Sequence, residues 1–267
     1  MFFKTNKLKF YYSAFYLSKE VPYFFLHGFT GTHQNWTTTI KGLKKASYTI
    51  DLPGHGKSLF LKQNAKYTFD DWSDDFNNLL NYLKLGKINL CGYSMGGRLA
   101  ISFAKKHPNK INSLILESTS FGLRNKEDRN KRIKSDTVIS YNILNNFNRT
   151  MIEWSNKPLF SSQKIRNKTE WEKQVNQRLM HKKRQLSNSL KVFSLGKMNY
   201  YRNDVRKFTF PIIIINGFED KKFIEIGKDL LSLNRNSKHY IVPESNHNIH
   251  MENNNEFVKI LRKNYHE

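Results

Sequence analysis

One serine in this 267-residue chain sits where a reactive hydroxyl could be presented. Ser94 lies in Gly92-Tyr93-Ser94-Met95-Gly96, directly after the apolar run Ile88-Asn89-Leu90-Cys91. That is the G-x-S-x-G spacing of a nucleophile elbow, a sharp turn from strand to helix. Small residues two places before and two places after the serine let such a turn close. The turn exposes the hydroxyl and aims a helix N-terminus at the reacting centre, where it favours developing negative charge.

A serine alone is a weak nucleophile and a weak base. It needs a histidine to take its proton and an acid to orient that histidine. With an elbow, the expected chain order is serine, acid, histidine. The acid should follow the apolar run "PIIII", where "NGFED" offers Glu219 and Asp220; Glu117, at the end of an earlier run, is a further candidate. The histidine should follow "HYIVP", which selects His247 in "ESNHNIH". His250 is expected to pack or to hydrogen-bond locally, and His239 precedes the strand and should point elsewhere. An oxyanion hole needs two rigid backbone N–H groups. Met95, after the serine, and Phe29, in the loop after "FFLHGF", are the candidates. His27 and Gly28 shape that loop, and the His27 side chain is either structural or in contact with substrate. "DLPGHGKS" reads as a tight loop in which His55 is structural.

These residues require a scaffold that delivers several loops to one place. Short apolar runs at 23–26, 48–50, 88–91, 114–116, 211–215 and 239–242 read as buried strands of a mainly parallel sheet. Helical spacing fills 69–85, 95–106, 223–233 and 256–263; the second stops before Pro108. The alternation predicts an α/β fold with helices on both faces of a central sheet. It fails at about 118–206, a polar stretch with helical spacing and no strands. That stretch reads as a helical cap inserted over the carboxyl end of the sheet, within one domain spanning 1–267. Trp154, Leu159, Phe160, Trp171 and Leu179 are its apolar anchors.

Composition removes several alternatives. Hydrophobic residues make up 38% of the chain, enough for a packed core. A single cysteine, Cys91, excludes an internal disulfide framework and a multi-cysteine metal site. No apolar run reaches the length of a membrane helix. The N-terminus mixes basic with apolar residues and reads as the first strands, so a cytoplasmic protein without membrane insertion is expected. The net charge of +23 is spread along the chain among many asparagines, and no nucleic-acid-binding pattern accompanies it. A monomer or weak homo-oligomer without a specific nucleic-acid partner is expected.

Together "LHGFTG", "DLPGHGKS", "GYSMGG", "NGFEDKKF" and "NHNIH" resemble the α/β-hydrolase superfamily from about residue 20 onward. "GYSMGGRLA", "LILESTSFGL" running into "RNKEDRNKRIKSD", "EWSNKPLF" and "NQRLMHKKRQLSNSL" are similar to the 2-succinyl-6-hydroxy-2,4-cyclohexadiene-1-carboxylate synthase family of menaquinone biosynthesis. The resemblance implies a Ser94–Asp220–His247 triad. It implies that Arg98, Arg132 and Arg178 bind substrate carboxylates and that Tyr93 and Trp154 line the pocket. It also implies a lyase that expels pyruvate from an enolpyruvyl cyclohexene carboxylate and needs neither metal nor cofactor. A serine hydrolase using the same triad is the alternative. Phe121 stands where the family has proline, and Asn246 where it has glycine. Arginines near a buried serine independently suit a small substrate with several carboxylates, since a guanidinium pairs with carboxylate in a planar fork. The other reading is ordinary packing for Arg98 and a solvated helix face for Arg132 and Arg178.

Overall fold

The computed structural model describes residues 1–61 and 66–265. The chain opens with β1 (Phe2–Lys4), β2 (Leu8–Phe15) and β3 (Tyr23–Leu26). Then come α1 (Thr37–Leu43), β4 (Ser47–Ile50), β5 (Leu59–Phe60), α2 (Phe69–Tyr82), β6 (Ile88–Tyr93), α3 (Met95–Lys106) and β7 (Ile111–Glu117). Helices only follow: α4 (Lys126–Asn145), α5 (Phe147–Ser155), α6 (Ser161–Arg166), α7 (Lys168–Leu179), α8 (Lys183–Val192) and α9 (Arg202–Arg206). The chain closes with β8 (Ile212–Gly217), α10 (Lys221–Leu233), β9 (Ser237–Val242), α11 (Ile249–Glu252) and α12 (Asn254–Lys263).

The strands form one sheet in the order β1-β2-β4-β3-β6-β7-β8-β9, with β5 paired to β2. From β4 to β9 every pairing is parallel; β2 meets its three neighbours antiparallel. Alternate side chains of the inner strands feed two separate cores, as the period of two requires. Phe24 and Leu26 join Trp72, Phe76, Leu99 and Phe103 on the face covered by α2 and α3. Tyr23 and Phe25 join Trp36, Ile40, Phe257 and Leu261 on the face covered by α1 and α12. Burial on both sides is why these strands read as unbroken apolar runs. Helix α2 starts at a capping box, in which Thr68 accepts from the Asp71 N–H and Asp71 from the Thr68 N–H. The helix stretch expected to reach 85 ends at Tyr82, and Lys84 turns into the left-handed region (φ 55°).

The helices between β7 and β8 anchor themselves differently from the sequence expectation. Of the expected apolar residues only Phe160 is buried; Trp154, Leu159, Trp171 and Leu179 are partly exposed. Ile143, Met151, Leu186, Leu190 and Phe193 are the buried ones. In α4, Ser140 and Ser187 of α8 exchange hydrogen bonds at the crossing, a polar contact that hydrophobic periodicity cannot reveal. No helix among the described residues is long and apolar enough to cross a membrane.

Candidate active site

Ser94 occupies the turn between β6 and α3 with φ 51° and ψ −107°, a strained conformation for a residue with a side chain. Its neighbours explain how the turn closes. A Cβ on Gly92 would lie 2.6 Å from the Gly96 carbonyl carbon, and one on Gly96 would lie 2.3 Å from the Leu26 carbonyl oxygen. The Ser94 N–H donates to the Glu117 carbonyl (2.9 Å), and the Thr119 hydroxyl donates to the Ser94 carbonyl (2.8 Å). These bonds pin the turn to the end of β7.

The loops after β8 and β9 bring an acid and a base to the serine. His247 Nδ1–H donates to Asp220 Oδ2 at 2.6 Å, which leaves Nε2 as an acceptor 3.3 Å from Ser94 Oγ. Both partners are buried. The rings of Phe223 (4.6 Å) and Tyr93 (5.4 Å) enclose the imidazole. The backbone N–H groups of Phe29 and Met95 have no acceptor among the described residues. Thr30, in the left-handed region (φ 67°), turns the first of these loops. All of these groups sit at carboxyl ends of parallel strands, where open α/β sheets bind ligands.

Such an arrangement can move a proton from the hydroxyl to imidazole, stabilise the imidazolium through the carboxylate, and hold a developing oxyanion on two N–H groups. Among the described residues, no group of three His, Cys, Asp or Glu side chains could hold a metal.

The other acids and histidines take different roles. Glu117 Oε2 accepts from His250 Nδ1–H (2.7 Å), so His250 pairs with a residue far away in sequence rather than locally. Its ring also stacks on Trp36 at 4.0 Å. Glu219 pairs with Arg166. His27 is structural: Nε2 accepts from the Leu52 N–H (2.9 Å) and Nδ1–H donates to the Gly28 carbonyl (2.7 Å). Burial lowers its pKa to about 4, keeping it neutral. His55 is buried with it. His239 accordingly bonds Asn216, away from the serine. Asn246 is not among the residues with positive φ; Glu244 (φ 49°) makes that turn. Phe121 is buried, and its carbonyl accepts from the Tyr201 N–H.

A cavity of about 390 Å³ opens above Ser94, walled by Phe29, Tyr93, Trp154, Phe160 and Phe223. A larger space of about 660 Å³, beside Arg184, Lys191 and Lys197, contains none of the residues above. Arg98 and Arg132 border the serine's cavity. Arg98 is buried and donates to the Phe193 carbonyl (2.9 Å); burial, reinforced by Arg132, lowers its pKa to about 9. Arg132 Nε–H is shared by both Asp136 oxygens, each at 2.9 Å. Arg178 does not border this cavity. It borders a narrow one with Tyr93 and Phe160, and its guanidinium carbon lies 5.0 Å from the centre of the Phe160 ring.

Sequence reasoning missed two features of the wall. Lys157 borders the cavity and its ammonium lies 4.1 Å from the centre of the Trp154 ring. The spacing Trp154-x-x-Lys157 was a usable signal, since helical neighbours three apart can meet. The Trp154 indole N–H is buried without a partner among the described residues.

The chain belongs to the α/β-hydrolase family: the family described as alpha/beta hydrolase fold matches residues 22–254. It is an enzyme built on that scaffold. It is 34% identical over 238 residues to a Bacillus subtilis (strain 168) protein provisionally named 2-succinyl-6-hydroxy-2,4-cyclohexadiene-1-carboxylate synthase, covering 88% of this chain and 87% of the relative. The synthase of that name from Enterobacter sp. (strain 638) is 30% identical over 237 residues, covering 86% and 85%. The solved structure of MenH from S. aureus superposes with a TM-score of 0.86 at 28% identity, covering 97% of this chain and 99% of that one.

Proposed function

We propose that the enzyme is a lyase. It eliminates pyruvate from 2-succinyl-5-enolpyruvyl-6-hydroxy-3-cyclohexene-1-carboxylate to give 2-succinyl-6-hydroxy-2,4-cyclohexadiene-1-carboxylate in menaquinone biosynthesis. The observation that carries this reading is the pairing of one proton relay with several cations. The Ser94–His247 pair opens on a cavity bordered by Arg98, Arg132 and Lys157. A substrate with several carboxylates matches those cations, and a neutral ester has no use for them.

In this mechanism His247 takes the Ser94 proton as the serine oxygen removes a ring proton. The electron pair moves through the ring and breaks the carbon–oxygen bond to the enolpyruvyl group. The departing enolate accepts a proton at carbon and becomes pyruvate. The Phe29 and Met95 N–H groups hold the negative charge that develops, and Asp220 stabilises the imidazolium. The chemistry needs no acyl-enzyme, metal or cofactor. The helices between β7 and β8 act as a cap, because Arg132, Trp154 and Phe160 roof the cavity that holds Ser94. Arg178 and Tyr93 bind substrate from behind Phe160.

The test is pyruvate release from the enolpyruvyl substrate, measured beside cleavage of a panel of neutral esters. Ser94-dependent pyruvate release supports the lyase. Rapid ester turnover with a trapped acyl-serine and no pyruvate would transfer the assignment to a serine hydrolase, which could use the same Ser94–His247 geometry.

A further inference from the structure

Away from the cavity, the helical segment touches both catalytic loops through one set of side chains. Arg166 ends α6. Its guanidinium pairs with Glu219, the residue before Asp220, and Nη1–H also donates to Glu252 Oε2 at 3.2 Å. The Glu252 side chain is fully buried. Its carboxylate accepts the N–H of Asn246 (3.2 Å) and the N–H of Asn248 (3.3 Å). Those two residues flank His247. The same helices reinforce the contact: Asn248 Nδ2–H donates to Gln163 Oε1, and Asn167 Nδ2–H donates to the Met251 carbonyl.

We propose that Glu252 positions the His247 loop and that Arg166 makes this positioning depend on the helical segment being docked over the site. The proposal rests on the reading of His247 as the catalytic base. A carboxylate can hold both flanking N–H groups only while ionised, since a protonated carboxyl turns one oxygen into a donor. Burial works against ionisation of Glu252 and raises its pKa, while the two N–H groups and Arg166 oppose that rise. The other charged or titratable groups nearby are Glu219 and Asp220 from the loop after β8, Tyr93 from β6 and His247 itself. None of these is a permanent cation. When α6 lifts, Arg166 leaves both carboxylates, Glu252 is left buried without its cation, and one hold on the His247 loop weakens. Docking of the segment and alignment of the base then occur together, so proton abstraction is confined to an enclosed substrate.

The test uses full-length protein carrying Arg166→Ala, Arg166→Lys or Glu252→Gln, with Ser94→Ala as reference. Arg166 is partly exposed, so its replacement leaves the core intact. Pyruvate release is measured across pH, and the proton of the short His247–Asp220 hydrogen bond is followed as a far-downfield NMR resonance. Arg166→Ala should lower kcat by roughly 10- to 100-fold, the scale of a small misplacement of a catalytic group, with a smaller change in KM. Its acid limb should move to higher pH, because Glu252 then protonates more readily. Arg166→Lys should restore kcat in part, since one ammonium cannot span two carboxylates as a guanidinium does. Glu252→Gln should lower kcat and remove the shift of the acid limb. In Arg166→Ala the downfield resonance should broaden. Wild-type kcat, acid limb and resonance in Arg166→Ala would overturn the proposal. If the wild type releases no pyruvate, or Ser94→Ala still does, the functional reading falls instead, and the resonance alone decides whether Arg166 orders the loop.

Discussion

Replacing Arg178 by methionine distinguishes a guanidinium kept for substrate from one kept for structure. The side chain is almost wholly buried, and no carboxylate lies within salt-bridge reach among the described residues. Its partners are neutral: Thr30 Oγ1 (3.1 Å), Ser155 Oγ (2.8 Å) and Gln174 Oε1 (2.8 Å). Burial lowers its pKa from 12.5 to about 10. At ~1.4 kcal/mol per unit, holding this cation costs the fold about 3 kcal/mol. Methionine removes that cost along with three hydrogen bonds. Two of the acceptors keep another partner, because the Ser155 hydroxyl donates to the Met151 carbonyl and Gln174 Oε1 accepts from Gln163 Nε2. The loss of stability should therefore stay below the ~3–5 kcal/mol typical of a broken buried ion pair. The loss in kcat/KM for the anionic substrate should be about 10- to 150-fold, from a charged contact of ~1.5–3 kcal/mol. Because Phe160 covers the guanidinium, the carboxylate reaches it only when that ring turns aside. Thermal melts and pyruvate-release kinetics, corrected for folded fraction, measure the two quantities separately. A large drop in Tm with unchanged kcat/KM per folded molecule would refute the reasoning and make Arg178 structural.

Ser94→Ala and His247→Ala should each abolish most turnover, with the double variant little worse than either, because the two act as one unit; additive losses in single-turnover assays would separate them. In Gly28→Ala the new Cβ would lie 2.7 Å from the Tyr93 ring, so the ring or the Phe29 N–H must shift; kcat should fall while the melting curve stays cooperative, and an unchanged kcat would show that neither group is aimed at the reaction. Acid should destabilise the fold through His27. Burial lowers its pKa from 6.5 to about 4, so between those values the unfolded chain binds the extra proton and stability falls as pH falls, by about 3 kcal/mol at the lower end. His27→Gln should flatten Tm against pH in that window, and an unchanged slope would assign the effect to other groups.

Much of the site was readable because the backbone leaves little choice there. A side chain at Gly92 or Gly96 would collide with carbonyl groups of the turn or of β3, so the glycines announce the elbow before any contact is known. The strands were readable because both of their faces are buried, and the acid and the histidine follow because they sit in the loops after β8 and β9. Reading stopped where a side chain's role depends on how helices pack. Arg132, Lys157 and Arg178 are all basic residues on polar helices, yet two face the cavity and one lies behind Phe160. The same limit hid the pairs Glu117–His250 and Arg166–Glu252, each joining segments far apart in sequence. His250 looked like a local packing residue because its partner comes from β7, and Glu117 looked like a spare acid because its partner comes from α11. Both belong to the frame of the site: the Glu117 carbonyl holds the Ser94 N–H while its carboxylate holds His250. A charge whose partner lies on a distant loop carries no periodic signal, so the residues that align the elbow with the histidine loop emerge only from the folded chain.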